Sequence, residues 1–414
     1  MYEELNNVVL KRLLRRQEKA NEKILEELGR ILGKIGNLTP SEAYTIGQQL
    51  KYGESLNKII KILSDTSKIN EAEIYQMLEL EARKNLELKH IYFKAKKKDF
   101  IPYEKNIALQ NKVREIGIAT LGTYRNIARS TGITFLDING NKITRGIRDA
   151  YYQIVDDAIM NVATGKETFY EGLKNQLHTI GQHGIQSIEY ESGYHKRIDS
   201  ALRMNLSDGL NHLAIAQEEI VGEQFDFDGW RITVHEHPAP DHQYVQGQTF
   251  TKDEYKKLQE DGIAHDINGK EYDLHLELKN GDSAKGFRPI GDMNCYHYAW
   301  AIVIGVDTPR YSDKELKKII EDNNKGFEYE GKHYSIYEGT QLQRRIEMQI
   351  RKNREQELMT KASYNVATGD EKIKLGEELT KIKKDTGILL NKYHKISKIS
   401  GLPTKLERTR LLTK

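Results

Sequence analysis

Residues 230–250 read "WRITVHEHPAPDHQYVQGQTF", and how that stretch is taken decides the fold. "WRITVHE" sets β-branched and aromatic side chains in a short run, the composition of a half-buried strand, and Pro238 and Pro240 stop it. A second β-favouring run, "AWAIVIGV", lies at 299–306. The segment between Gly222 and Asp307 holds both tryptophans, 6 of the 13 histidines, 3 of the 7 prolines and the only cysteine. Most of the chain to either side of it reads as helix. The expectation is therefore a mainly α chain with one compact α+β domain, flanked by helical N-terminal and C-terminal arms.

Toward the N-terminus, Leu5, Val9, Leu13, Ile24, Leu28, Ile31 and Ile35 recur at helical spacing and form one apolar stripe on a charged helix. That stripe needs a partner, and another protein is the expected one. "TPSE" (39–42) reads as a helix start, with Thr39 as cap, Pro40 at the first helical position and Glu42 closing a capping box. "NEAE" (70–73) repeats the pattern, so helices are predicted over about 41–63 and 71–98. A further helical series covers 104–130, 143–164, 167–182 and 193–221, separated by turns such as "DINGN" (137–141) and "ATGKE" (163–167). Beyond 313, "EYEGKHYSIYE" (328–338) suggests a hairpin about Glu330–Gly331, and helices follow over 340–362 and 369–394. The predicted regions are 1–140, a helical N-terminal region for docking; 141–221, a helical lead into the core; 222–307, the α+β core; and 308–414, a basic helical arm.

Composition narrows the function classes. A chain of 414 residues with 30% charged and 38% hydrophobic residues can bury large cores without staples. A lone cysteine excludes an internal disulfide. The longest apolar runs fall far short of a bilayer span, and the charged N-terminus lacks a signal-peptide core, so folding in the cytoplasm is expected, away from membranes. The net charge of +3 conceals a polarity: residues 221–307 carry 8 basic against 16 acidic residues, and residues 341–414 carry 18 against 9.

Chemistry concentrates in the middle segment. His235, His242, Cys295 and His297 offer three imidazoles and a thiol, a donor set that tetrahedral zinc accepts if the two β runs are neighbours. The spacings match no standard zinc finger. The same residues can instead fix a loop corner by hydrogen bonds, with Cys295 packed as a small apolar side chain. The corner is the favoured reading and zinc the alternative. Asp241–His242 resembles an acid–base pair, with Asp226, Asp228 and Asp292 as further carboxylates, but no oriented nucleophile or phosphate loop accompanies them. On the basic arm, Arg344, Arg345, Arg351, Lys352 and Arg354 share a helical stretch suited to DNA phosphates, or to a solvated helix laced with pairs such as Glu347–Arg351.

Four blocks in order, "SGYHKRIDSALRMNLSDGL" (192–210), "ITVHEHPAPDHQYVQGQTF" (232–250), "IGDMNCYHYAWAIVIGV" (290–306) and "FEYEGKHYSIYEGTQLQRRIEMQIRK" (327–352), resemble the phage minor capsid protein 2 family, itself similar to the phage Mu F-like head morphogenesis proteins. The resemblance covers about residues 145–360. His235 and His242 fall on the family's two histidines around a proline loop, and Gln246 and Gly247 on its Gln-Gly step. Asn294, Cys295 and His297 match its Asn-Cys-Arg-His block, and Arg203, Met204 and Asn205 its Arg-Met-Asn helix. Thr340, Gln341, Gln343 and Arg344 match its Thr-Gln-x-Gln-Arg helix start. Tyr296 and Ala239 stand where the family carries arginines, which argues against a retained enzymatic task.

The resemblance implies a non-enzymatic minor head component. It would sit inside the capsid near the portal, be assembled in a bacterial cytoplasm, and have portal, major capsid and scaffold proteins as partners and packaged double-stranded DNA within reach. The competing expectation is a metal-dependent hydrolase or nuclease built on the histidine–cysteine cluster.

Overall fold

The N-terminal stripe exists, and the chain covers it itself. The computed structural model describes residues 7–43, 53–163, 169–188, 195–275, 285–292, 295 and 297–412. In it α1 runs Val8–Gly36. Val9, Leu13, Ile24, Leu28, Ile31 and Ile35 are each no more than 3% exposed, while Leu5 lies outside the described residues. From Ile24 to Ile35 the stripe packs into a core with Ile133, Phe135, Tyr151, Ile154, Met359 and Leu375. The expectation of a foreign partner for this face is thereby corrected. An amphipathic period says that a face is covered, not by what, and an intramolecular sheet and helix supply the same apolar area at no cost in association entropy.

The second expected helix start also fails. A single helix, α2, spans Glu54–Glu87 and runs straight through "NEAE". Asn70 is fully buried, and its side-chain oxygen accepts from Arg16 Nη1 at 2.7 Å while Arg16 Nη2 donates to Glu73 at 3.0 Å. A residue that alone favours a cap is held inside the helix by this long-range bond. The "TPSE" start does form a capping box: the Thr39 N–H donates to Glu42 Oε2 at 2.9 Å, and the Glu42 N–H to Thr39 Oγ1 at 3.4 Å.

Next come α3 (His90–Ala95) and α4 (Ile107–Arg129), and then four strands, two that the sequence reading placed in helices and two that it left between them. β1 (Thr131–Leu136), β2 (Lys142–Gly146), β3 (Ile185–Ile188) and β4 (His195–Arg197) form an antiparallel sheet of order β2-β1-β3-β4. Asp137 Oδ1 closes the β1–β2 turn by accepting the N–H groups of Asn139 and Asn141. Helices α5 (Ile147–Ala163) and α6 (Phe169–His183) lie between β2 and β3; the "ATGKE" turn falls almost wholly outside the described residues.

The long α7 (Ile198–Gln224) leads to the segment expected to hold β structure. There β5 (Gly229–Ile232), β6 (Thr249–Thr251) and β9 (Ala299–Ile302) make a three-stranded sheet of order β6-β5-β9. Between β6 and β9 lie α8 (Lys252–Asp261) and the hairpin of β7 (Ile263–His265) and β8 (Glu271–Asp273). Their core gathers Ile232, Val245, Phe250, Leu258, Phe287 and Ile290. After α9 (Asp313–Lys325), β10 (Phe327–Tyr329) and β11 (Lys332–Tyr334) form the expected hairpin. Glu330 and Gly331, at φ 50° and 75°, give the two successive left-handed residues of a type I′ turn. Helices α10 (Ile336–Val366) and α11 (Gly369–Ser400) follow.

The chain is thus mainly α with small antiparallel sheets, the expected class, although the β1–β4 sheet lies ahead of the segment where β structure was expected. It folds as two compact units: residues 1–11, 74–120 and 206–341 form one, and 12–73, 121–205 and 342–414 the other. Among the described residues no helix is long and apolar enough to cross a membrane.

Candidate functional site

The register of β5 against β9 pairs Ile232 with Ala299, and the next link is Thr233 N–H donating to the Tyr298 carbonyl at 2.9 Å. Continuing outward past this pair, the histidine loop and the Cys295–His297 segment meet. This is the adjacency on which the four-donor expectation depended. The donor atoms that converge are those of His242, Cys295 and His297, all within 4.8 Å of one another and all buried. His235 stands beside them, edge-on to His297 with 4.4 Å between ring centroids, but it is not one of the converging group. Asn294 and Tyr296 lie outside the described residues.

Hydrogen bonding fixes the tautomers. His242 Nε2 lies 2.6 Å from the Arg288 carbonyl oxygen, which can only accept, so Nε2 carries the proton and Nδ1 presents its lone pair. That lone pair faces Cys295 Sγ at 3.1 Å. The backbone N–H of His235 donates to Gln246 Oε1 at 2.9 Å, which sets the orientation of the Gln246 amide. His297 Nε2 then donates to that same oxygen at 3.3 Å, and His297 Nδ1 faces Cys295 Sγ at 3.7 Å. Two imidazole lone pairs therefore point at one sulfur. Burial pushes the Cys295 thiol up to about 11, lowers His242 and holds His297 well below the usual histidine range, with His235 and His242 adding to the last.

The Gln-Gly step builds this corner. Gly247 sits at φ 76°, and its N–H donates to the Ile232 carbonyl at 3.0 Å. A Cβ there would lie 2.8 Å from Leu316, so the turn that aims Gln246 at the two histidines needs a glycine. Arg288 is the participant that sequence reading missed: its carbonyl orients His242, and nothing in its spacing marks it.

No acid–base pair forms at Asp241–His242. Asp241 receives two bonds from Arg288, Nε at 2.8 Å and Nη2 at 2.7 Å, and stands 3.9 Å from His242 Nε2, beyond hydrogen-bond reach. Asp226 and Asp228 pair with Lys98 and Lys96. A depression of about 300 Å³ lies beside Trp230, Lys252, Tyr255, Gln259 and Tyr298, and none of the three clustered side chains lines it.

The residues of the basic arm divide. Arg344 and Arg345 are exposed on α10, and Lys352 and Arg354 are half-buried. Arg351, expected on a DNA-facing surface, turns inward: it pairs with Asp199 at 2.9 Å, Glu18 at 3.2 Å and Glu355 at 3.6 Å. Glu355 also pairs with Arg197. The three carboxylates hold Arg351 above the usual guanidinium range against the opposing effect of burial. Of the family-motif residues on α7, Arg203 is exposed and Asn205 buried; Gln343 donates to Ser397 Oγ at 2.8 Å.

No curated protein and no solved structure matches the chain. A profile of the family described as phage minor capsid protein 2 matches residues 11–384.

Proposed function

The chain belongs to the phage minor capsid protein 2 family, and from that premise we propose that it is a non-enzymatic component of the phage head, held inside the capsid near the portal and in reach of packaged DNA. The observation that carries the reading is the extent of the match, residues 11–384, which takes in both folded units and reaches well before the blocks whose resemblance is legible from residue 145. As a family of virion proteins, it implies contacts with other virion components; portal, scaffold and major capsid proteins are the partners proposed. Docking is not assigned to the apolar face of α1, which is filled from within.

Charge supports the DNA part. Residues 341–414 carry 18 basic against 9 acidic residues. With Arg351 committed to carboxylates, the cations offered to phosphate are Arg344 and Arg345, with Lys381, Lys383 and Lys384 exposed on α11. Lys352 and Arg354 join them at the half-buried margin.

The competing reading, a metal-dependent hydrolase, fits less well. His242, Cys295 and His297 are 0%, 3% and 5% exposed, too enclosed to meet a polymeric substrate, and the nearby carboxylate Asp241 is clamped by Arg288. The test is co-expression with the portal, scaffold and major capsid proteins of the same phage, followed by sedimentation. The chain is expected in the particle fraction at low copy. A chain that stays entirely soluble while particles form, and that cleaves nucleic acid in a chelator-sensitive way, would replace this reading with the hydrolase.

A further inference from the structure

We propose that His242, Cys295 and His297 bind one zinc ion, as a folding site that ties the 235–247 loop to Cys295 and His297. The proposal stands apart from the virion reading, since metal binding can fail while particle incorporation holds, and the reverse.

Three observations carry it. The first is geometric. Zinc–sulfur and zinc–nitrogen bonds of about 2.3 and 2.05 Å at a tetrahedral angle separate nitrogen from sulfur by roughly 3.5 Å. The two nitrogen–sulfur distances here, 3.1 Å and 3.7 Å, bracket that figure, and the three donor atoms all lie within 4.8 Å of one another.

The second is the hydrogen inventory. Both imidazoles spend their single proton outward, His242 on the Arg288 carbonyl and His297 on Gln246 Oε1. One thiol proton cannot serve two inward lone pairs. In a metal-free chain one buried acceptor is left with a thiol that is donating elsewhere, which is unfavourable, whereas a cation satisfies both nitrogens and the sulfur together.

The third is the surrounding shell. Zinc-bound histidines characteristically donate their other ring N–H to a carbonyl or carboxylate, which fixes ring orientation. Here both do, and the Gln246 amide is itself pinned by the His235 N–H at 2.9 Å. Two imidazoles with a thiolate select zinc over magnesium or calcium, which prefer oxygen. Binding transfers the Cys295 proton to solvent, so the bound site carries one net positive charge. Three protein donors leave the fourth tetrahedral position to a water molecule, and because all three donors are buried the ion's role is structural.

The test uses the full chain, purified without chelator. Elemental analysis is expected to give one zinc per chain, and exchange to cobalt a thiolate-to-cobalt charge-transfer band in the near ultraviolet. Cys295→Ser should abolish that band. Gln246→Ala, a positioning change, should keep the stoichiometry but weaken zinc by about 10–100-fold. Should Cys295→Ser fail to fold, the wild-type chain alone decides: a chelator should lower its melting temperature and added zinc should restore it. A wild-type chain that is folded, metal-free, silent with cobalt and indifferent to chelator overturns the proposal.

Discussion

Lys89 and Glu218 meet as an ion pair with both side chains fully buried, and Glu218 also accepts the backbone N–H of Ala301 at 2.7 Å. The Lys89 ammonium lies 4.4 Å from the centre of the Trp300 ring. A charge so enclosed is tolerable only while its counter-charge is present. Glu218→Gln keeps the acceptor for Ala301 but strands the ammonium, and should cost about 3–5 kcal/mol in urea unfolding. Adding Lys89→Met should recover most of that loss. Costs that simply add would show that the pair is not coupled.

Glu371, in the first turn of α11, is half-buried, and burial raises its carboxyl from the ordinary 4.5 to about 7. The folded chain therefore holds a proton that the unfolded chain has lost between those two values. Stability from this group is full below about pH 4.5 and declines as pH rises toward 7. Glu371→Gln should flatten that slope and raise stability at pH 8 by on the order of 1 kcal/mol, a figure reduced for the solvent that reaches the group. Thermal melts of both proteins at pH 5 and pH 8 measure it; parallel pH curves would contradict it.

Close helix packing gives a third expectation. A Cβ on Gly29 would stand 2.3 Å from the Met359 carbonyl oxygen, and one on Gly33 2.6 Å from that of Ser363. Ser363 Oγ donates to the Gly29 carbonyl at 2.9 Å across the same contact. Gly29→Ala must push α1 and α10 apart and should cost about 1–3 kcal/mol. Gly122→Ala, inside α4 with nothing within 4 Å of the added carbon, should instead stabilise by about 0.5–1 kcal/mol. Chemical denaturation of the two variants separates packing from propensity, and equal effects would refute the close approach.

For DNA contact, Arg344→Gln combined with Arg345→Gln should weaken binding to duplex of any sequence and reduce the salt slope by about 2. Arg351→Gln should leave that slope unchanged while destabilising the fold, because it strands Glu355 and Asp199 beside a single remaining arginine, Arg197. Fluorescence anisotropy across a salt series checks both. A slope that responds only to Arg351 would move the DNA surface elsewhere.

What the sequence disclosed follows from how local each signal is. The 222–307 segment was legible because two β-favouring runs stand out between helices, and the 330–331 turn because its residues announce it. The β1–β4 sheet was not: its strands run three to six residues, too short for alternation to outweigh helical neighbours, and "KITRG" passes directly into α5. The α1 stripe was legible but its cover was not, because Met359 and Leu375 lie more than three hundred residues away in the chain. The boundaries of the two folded units fall inside helices α1, α2, α4, α7 and α10, where no change of composition marks them. At the candidate site the three clustered side chains were among those named in advance, whereas the tautomers of the two histidines depend on the Arg288 carbonyl and the Gln246 amide, which only the folded backbone brings into place. Arg351 looks like its exposed neighbours in sequence; Asp199 and Glu18, far along the chain, turn it inward.

The most direct test of the virion assignment is quantitative mass spectrometry on purified heads of the encoding phage, before and after protease treatment of the intact particles. The expected result is a fixed low copy number that protease does not reduce until the heads are opened. Heads that carry packaged DNA and lack the chain altogether would contradict the account.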